Sequence, residues 1–173
     1  VPAGASFRRM AVGGFNTCGL DAAGKIHCWG DNGTSQLSVP SEETFADLVI
    51  GSDFICGLRG NGTLRCWGQG NWHTLEQLAP YGPGSISAGH DHTCNRSPEG
   101  LLGCFGDLSA PAPEGVFRSV AGGGQHACAL DDLSTALCWG DNGSGQLDAP
   151  SEPYRQLALG ATSSCGLRED HSL

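Results

Sequence analysis

Hydrophobic and polar residues alternate in short paired segments that recur along the chain. In the first pair Cys18, Leu20, Ile26 and Cys28 share one face of a β-hairpin, while Trp29 lies on the other face. A period of two predicts half-buried strands. We find neither sustained helical periodicity nor an apolar run near the roughly 20 residues that span a bilayer. The pattern therefore predicts an all-β chain with no membrane insertion by this segment.

The paired segment is the repeating unit of the chain. Four copies carry two cysteines ten residues apart and end in W-G or F-G, and a fifth copy opens at Cys165. The copies read C-G-L-D-A-A-G-K-I-H-C-W-G at 18–30, C-G-L-R-G-N-G-T-L-R-C-W-G at 56–68, C-N-R-S-P-E-G-L-L-G-C-F-G at 94–106 and C-A-L-D-D-L-S-T-A-L-C-W-G at 128–140. A short strand precedes each copy and a polar connector follows it, so the unit repeats about every 37 residues.

The midpoint between the two cysteines predicts a three-residue turn. Gly24, Gly62 and Gly100 occupy its last position, where such a loop needs a left-handed residue, and Ser134 is the exception. Pairing outward from this turn places the cysteines opposite each other at a non-hydrogen-bonded site, where Cα atoms approach to roughly 4.5 Å. This register predicts four disulfides and leaves Cys165 unpaired. The predicted pairs are Cys18–Cys28, Cys56–Cys66, Cys94–Cys104 and Cys128–Cys138.

The repeat period, the glycine-rich turns and one aromatic residue per hairpin predict a β-propeller. One stapled hairpin face is too small to be stable alone, so each unit must stack on a neighbour. We expect about four short strands per blade and a single repeat domain over 1–173, with four complete blades and part of a fifth. The predicted blades are 7–44, 45–84, 85–115, 116–153 and 154–173.

The cysteines and the charge restrict the location and the partners. Nine cysteines in a regular pairing pattern favour an oxidising compartment over zinc, which expects C-x2-C clusters, so we expect an extracellular or secreted protein. Four N-x-[S/T] sequons predict glycosylation at Asn32, Asn61, Asn95 and Asn142. The net charge is −9 and no cations cluster, which argues against nucleic acid as a partner.

The remaining polar candidates have structural interpretations. His92 and His126 stand two residues before a first cysteine, where we expect a packed histidine more than a metal ligand. Asp31, Asp107 and Asp141 follow the aromatic-glycine step and precede turns, so we expect them to cap the local backbone rather than to bind calcium. We expect no catalytic residue, no metal and no cofactor.

The second connector departs from the repeat and is the candidate partner-binding loop. It carries Trp72, His73 and Tyr81, an aromatic-rich set that the other connectors lack. Tyrosine and tryptophan on loops are preferred anchors in protein interfaces and in sugar stacking. The alternative interpretation is a longer loop packed on its own blade.

The pattern G-x-x-x-x-C-x-L-x-x-x-G-x-[L/I]-x-C-W-G-D-N-G-x-x-Q-L resembles the regulator of chromosome condensation repeat, which is also the blade unit of the type II β-lactamase inhibitor protein. The two-cysteine version is similar to the extracellular blades of crinkly-type plant receptor kinases. The resemblance implies a propeller that usually closes at seven blades. We therefore expect a fragment of a longer ectodomain, or alternatively an open or five-bladed form closed by another chain.

The resemblance implies little about function, because the family is a scaffold whose loops are rewritten for each partner. We expect a non-catalytic recognition or structural module that binds a protein partner through its loops. The alternatives are a lectin-like module that binds glycans and an inhibitor of a secreted hydrolase. Exchange activity on a nuclear GTPase is not expected, since the cysteines and the acidity indicate another compartment.

Overall fold

The computed structural model describes residues 6–69, 82 and 85–173, and all regular secondary structure in this part of the chain is β. The strands are β1 Phe7–Val12, β2 Asn16–Asp21, β3 Ile26–Gly30, β4 Phe45–Ile50, β5 Phe54–Arg59, β6 Leu64–Gly68, β7 Ile86–Ala88, β8 His92–Arg96, β9 Leu102–Gly106, β10 Phe117–Gly122, β11 His126–Asp131, β12 Ala136–Gly140, β13 Tyr154–Leu159 and β14 Ser164–Arg168. Within the described ranges, no helix has the length and apolar character needed to cross a membrane.

The strands form five small antiparallel sheets in chain order. Four sheets have the orders β1-β2-β3, β4-β5-β6, β7-β8-β9 and β10-β11-β12, and β13-β14 is a two-stranded sheet. The expected fourth strand is wrong for the first and fourth blades, whose connectors after β3 and β12 form turns that side-chain hydrogen bonds hold closed. The chain divides into two compact units, 1–84 and 85–173.

The hairpin register is the one that the sequence predicts. Cys18 lies opposite Cys28 and Leu20 opposite Ile26. Gly24 closes the turn with a φ of 81°, and its amide donates to the Asp21 carbonyl at 3.1 Å. The predicted all-β fold and the hairpin turns are confirmed.

Ser134 shows how a turn without glycine is held. Its φ is 70°, a conformation that costs an L residue free energy. The Asp131 carboxylate accepts hydrogen bonds from the amides of Leu133 at 2.9 Å and Thr135 at 2.8 Å. The Asp21 carboxylate accepts the equivalent bond from the Lys25 amide in the first turn, so the same aspartate contact stabilises the turn with either residue.

All four predicted disulfides are present, and they staple the two cysteine-bearing strands of each blade. Their Cα atoms lie 4.0–4.1 Å apart, as expected for a non-hydrogen-bonded pair. The first cysteine of each pair is completely buried. Cys165 is free and exposed.

The stapled face of one blade packs on the next blade within each unit. In the first unit the core joins Leu20 and Ile26 of the first blade to Leu48 and Ile55 of the second. Burying each such aliphatic side chain contributes about 1.5–3 kcal/mol, so the stability of a blade comes largely from its neighbour. The expectation that a hairpin must stack on a neighbour is confirmed.

The glycine after the first cysteine makes room for an aromatic ring. A Cβ on Gly19 would lie 2.5 Å from the Phe7 ring, which therefore packs directly over β2. The Phe7 ring reaches Trp29 on the far strand, with ring centroids 6.0 Å apart. Phe45 and Trp67 repeat the contact at 5.8 Å, so the recurrent aromatic residue of the C-W-G step has a packing role.

Candidate functional site

The C-W-G step joins the two ends of a blade. Gly30 has a φ of 120°, and a Cβ there would lie 2.3 Å from the Phe15 carbonyl oxygen. The next amide, that of Asp31, donates to the same carbonyl at 3.1 Å. Gly140 and Asp141 repeat the arrangement in the fourth blade. Only glycine allows the backbone to lie this close to the carbonyl oxygen, which explains why each C-W-G step ends in glycine.

The aspartate of the D-N-G connector caps its own turn, as predicted. The Asp31 carboxylate accepts from the Gly33 amide at 3.1 Å and from the Gln36 side chain at 3.1 Å. Gln36 is completely buried, and its backbone carbonyl accepts the Trp67 indole proton at 2.9 Å, which ties the first blade to the second. Asp141 repeats both contacts, to Gly143 and Gln146. No group of three or more potential ligands that could hold a metal ion occurs in the part of the chain that the structure describes.

The two predicted structural histidines are completely buried in the second unit. Ser164 donates its single hydroxyl proton to the Gln146 carbonyl at 2.8 Å, so His126 Nε2, 2.9 Å from the hydroxyl oxygen, carries a hydrogen and donates it. Neither ring nitrogen of His92 has a hydrogen-bond partner among the described residues. The packing interpretation is confirmed for both.

Burial sets the charge of these histidines. The pKa of His92 is lowered to about 4, mainly by burial and in smaller part by the nearby His126 and His90, while the Asp91 carboxylate opposes the change. Burial also lowers the pKa of His126, against the attraction of Asp141. Both rings are neutral at neutral pH, and neither is accessible to a substrate.

The sequence-predicted site residues have different outcomes. Trp72, His73 and Tyr81 lie outside the described residues, so the aromatic connector stays a prediction. Of the four sequon asparagines, three are exposed: Asn32, Asn61 and Asn142. Asn95 lies on β8 and is only 2% exposed, so the folded chain has no space for a glycan there. We therefore remove Asn95 from the predicted glycosylation sites.

A first exposed apolar cluster lies where β1 turns into β2 in the first unit. Val12 is 74% exposed and Phe15 is 76% exposed. The residues at the Phe15 position in the other blades are polar: Asp53, Asp91, Gln125 and Thr162. Sequence reasoning missed Phe15 because G-G-F-N reads as part of the repeated strand end, although comparison of that column between the copies would have revealed it.

A second cluster lies in the second unit, at the turns between β8 and β9 and between β11 and β12 and directly before β10. Leu101 is 55%, Val116 is 52% and Leu133 is 82% exposed, and we call these three residues the tip strip. The Phe117 amide, next to Val116, donates to the Gly100 carbonyl at 2.9 Å, next to Leu101. Phe117 also pairs with Asp131, two residues before Leu133. The strip therefore follows one edge across two blades.

A groove of about 400 Å³ lies beside the free cysteine of the second unit. It is lined by the turn at 144–150 and by β14, with Cys165 and Arg168 among its residues. No histidine among the described residues lines it, so the groove lacks the base that would activate a cysteine nucleophile. Arg168 is held by Glu152 at 2.5 Å.

Comparison with known proteins connects these blades to a family. Three segments, 7–36, 45–75 and 117–146, match the model of the Regulator of chromosome condensation (RCC1) repeat, and together they make up more than half of the chain. The chain belongs to the regulator of chromosome condensation repeat family. The third blade lies outside the match, and it is the copy that reads C-N-R for C-G-L and C-F-G for C-W-G.

Solved structures extend the RCC1-repeat assignment to the fold. The chain is similar to the CRINKLY ectodomain of a receptor kinase from Arabidopsis thaliana, with 28% identity over 98% of this chain and 67% of that one, and a TM-score of 0.81. It is also similar to the entire ectodomain of a receptor kinase from Physcomitrella patens, with 26% identity over 93% and 49% and a TM-score of 0.78. Prp20p from Saccharomyces cerevisiae has a TM-score of 0.77 at 20% identity over 93% and 55%, which shows the fold alone.

These neighbours confirm both the predicted resemblance and the β-propeller fold. The chain spans about two thirds of the length of the first ectodomain and about half of the second. No curated protein sequence matches the chain.

Proposed function

We propose that this chain is part of an extracellular, non-catalytic module that recognises other proteins through the ends of its blades. The observation that carries the proposal is the exposure of large apolar side chains at loop positions, Phe15 and Leu133 above all. The residues of the C-W-G and D-N-G motifs make contacts within and between blades. Function is therefore sought where the copies disagree.

The disulfides support the extracellular location. In the chain-entropy account, each staple closes a loop of about ten residues and contributes roughly 2–3 kcal/mol. The four staples together contribute on the order of 10 kcal/mol, which is comparable to the whole stability of a typical domain. A fold that depends on them suits an oxidising compartment, and the two similar receptor-kinase ectodomains support the same location.

The exposed apolar residues support protein recognition rather than glycan binding. Aromatic and aliphatic anchors on a protein surface contribute most when a partner removes them from water. The glycan-binding alternative depended on Trp72 and Tyr81, outside the described residues. The described residues offer no observation that favours it or the hydrolase-inhibitor alternative.

The test is capture of a partner by wild-type chain and by surface variants. The oxidised chain is immobilised and exposed to the secreted proteome of its source, and bound proteins are identified by mass spectrometry. A variant with Phe15→Ser and Leu133→Ser should lose the partner while keeping its melting temperature, since both side chains are exposed. Thr162→Ser, a polar change at the Phe15 position of another blade, is the matched control. Identical capture by all three proteins would refute the proposal.

A further inference from the structure

The tip strip is bordered by acidic residues in a regular way. Each apolar member is preceded within two positions by an exposed carboxylate. The pairs are Glu99 with Leu101, Glu114 with Val116, and Asp132 with Leu133. Because the chain already has a net charge of −9, this edge combines apolar surface with negative potential.

The two neighbouring arginines donate to backbone carbonyls. Arg96 donates from Nη1 to the Ser97 carbonyl at 3.2 Å. Arg118 donates from Nη2 to the Tyr154 carbonyl, which links the fourth blade to β13. A hydrogen bond from Ser97 lowers the pKa of Glu99, so this carboxylate stays ionised at neutral pH. The Glu99 carboxylate is therefore negatively charged beside the strip and attracts an incoming cation.

We infer that the tip strip binds a polypeptide segment in which apolar residues alternate with lysine or arginine. This inference rests on the proposed recognition function and specifies the partner of that surface. In an extended segment, successive side chains point to opposite faces, so an apolar face can cover Leu101, Val116 and Leu133. The intervening cations can then turn back towards the carboxylates at the rim.

The two components contribute in different ways. Burial of the three apolar side chains supplies affinity, while the carboxylates orient the segment and accelerate its association. A second copy of this chain would bring like charges together at the strip. An anionic membrane surface would be repelled for the same reason.

A designed peptide tests the inference directly, with no need for the natural partner. The probe is a labelled peptide of about ten residues that alternates leucine and lysine, and the comparison peptide replaces each leucine with serine. Binding to the oxidised chain is measured by fluorescence anisotropy at several salt concentrations. We expect the leucine peptide to bind at least about tenfold more tightly, since only it can bury the strip.

Variants then locate the site. Leu133→Ser and Leu101→Ser should each weaken the leucine peptide about tenfold, and a Glu99→Gln, Glu114→Gln, Asp132→Asn triple variant should reduce the salt dependence. Phe15→Ser is the matched control, because it removes an equally exposed apolar side chain from the other unit. Equal binding of both peptides, or an effect of Leu133→Ser no larger than that of Phe15→Ser, would overturn the inference.

The outcome separates this inference from the proposed function. Suppose the strip variants bind the peptide like wild type while the Phe15→Ser, Leu133→Ser double variant still loses its captured partner. The tip strip is then not the peptide-binding site, but the proposed protein recognition is supported. If peptide binding maps to the strip and capture is unaffected by every variant, the strip binds basic segments and the broader function fails.

Discussion

Replacing His92 with phenylalanine should make the stability of the chain less dependent on pH. His92 is completely buried without a hydrogen-bond partner among the described residues. Phe54 occupies the same repeat position in the second blade and is 2% exposed, so the blade already accommodates this ring. The substitution removes the titrating group and keeps an aromatic ring in place.

The magnitude follows from the difference in pKa between the two states. In the unfolded chain a histidine has a pKa of about 6.5, whereas burial lowers the pKa of His92 in the folded chain to about 4. The unfolded state therefore binds the proton first. The stability linked to His92 is fully present above about pH 6.5 and is lost as the pH falls towards about 4. The total is about 3 kcal/mol, of which about 2 kcal/mol is lost by about pH 5.

The assay is urea unfolding of oxidised wild type and His92→Phe between about pH 7.5 and pH 4.5. Burial lowers the pKa of His126 as well, so wild type and variant both lose stability on acidification. The decisive quantity is the difference between their slopes. His171→Asn, which removes an exposed histidine from a left-handed turn position, controls for the loss of a histidine as such. If wild type and His92→Phe lose the same stability on acidification, His92 is not the buried, neutral group that the structure indicates.

Three further predictions test the staples, the motif glycine and the sequons. In the native oxidised chain one thiol, that of Cys165, should react with a thiol reagent, as measured by mass shift. Gly140→Ala should lower stability by about 2–3 kcal/mol, or roughly 5–10 °C in Tm by calorimetry, because φ is 109° and the new Cβ would lie 2.5 Å from the Gln125 carbonyl oxygen. Expression through a eukaryotic secretory pathway should give a glycan at Asn61, on an exposed turn, and none at Asn95, which folding buries; peptide mapping measures both.

Each of these predictions has a control in the same chain. Cys165→Ser should abolish labelling, and any second reactive thiol would mean that a staple is open. Gly143→Ala should cost little, since its Cβ would lie 3.6 Å from Asp141 Oδ1; an equal loss at Gly140 and Gly143 would count against the backbone argument. Thr63→Ala should remove the glycan at Asn61, and a glycan at Asn95 in secreted, folded protein would contradict its burial.

Local features of the fold were predictable because their determinants lie close together in sequence. The turn residues and the two cysteines of a hairpin fall within about a dozen positions, so alternation and turn chemistry alone define the register. Cys18 opposite Cys28 and Gly24 with its positive φ follow from that register. The fourth strand predicted for the first and fourth blades was wrong because side-chain hydrogen bonds close their connectors into turns. The Asn32 side chain accepts the Leu37 amide at 2.9 Å and closes the segment into a turn.

The candidate site was less predictable, since exposure depends on what another blade covers. Asn95 and Asn61 have the same sequon pattern, yet one is buried on β8 and the other lies on an exposed turn. Leu133 and Leu130 are three residues apart, and one is 82% exposed while the other is completely buried. Local sequence does not distinguish these cases.

The sequence by itself determined the hairpin, its disulfide staple and the repeat period, because each depends on residues within one repeat. The tertiary structure decided which side chains the next blade covers. His92 and Asn95 lie on β8, which contacts β10 of the next blade, and both are buried, whereas Phe15 and the tip strip are exposed. The surface available to a partner is what remains after the blades have packed, and it is known only once the packing is known.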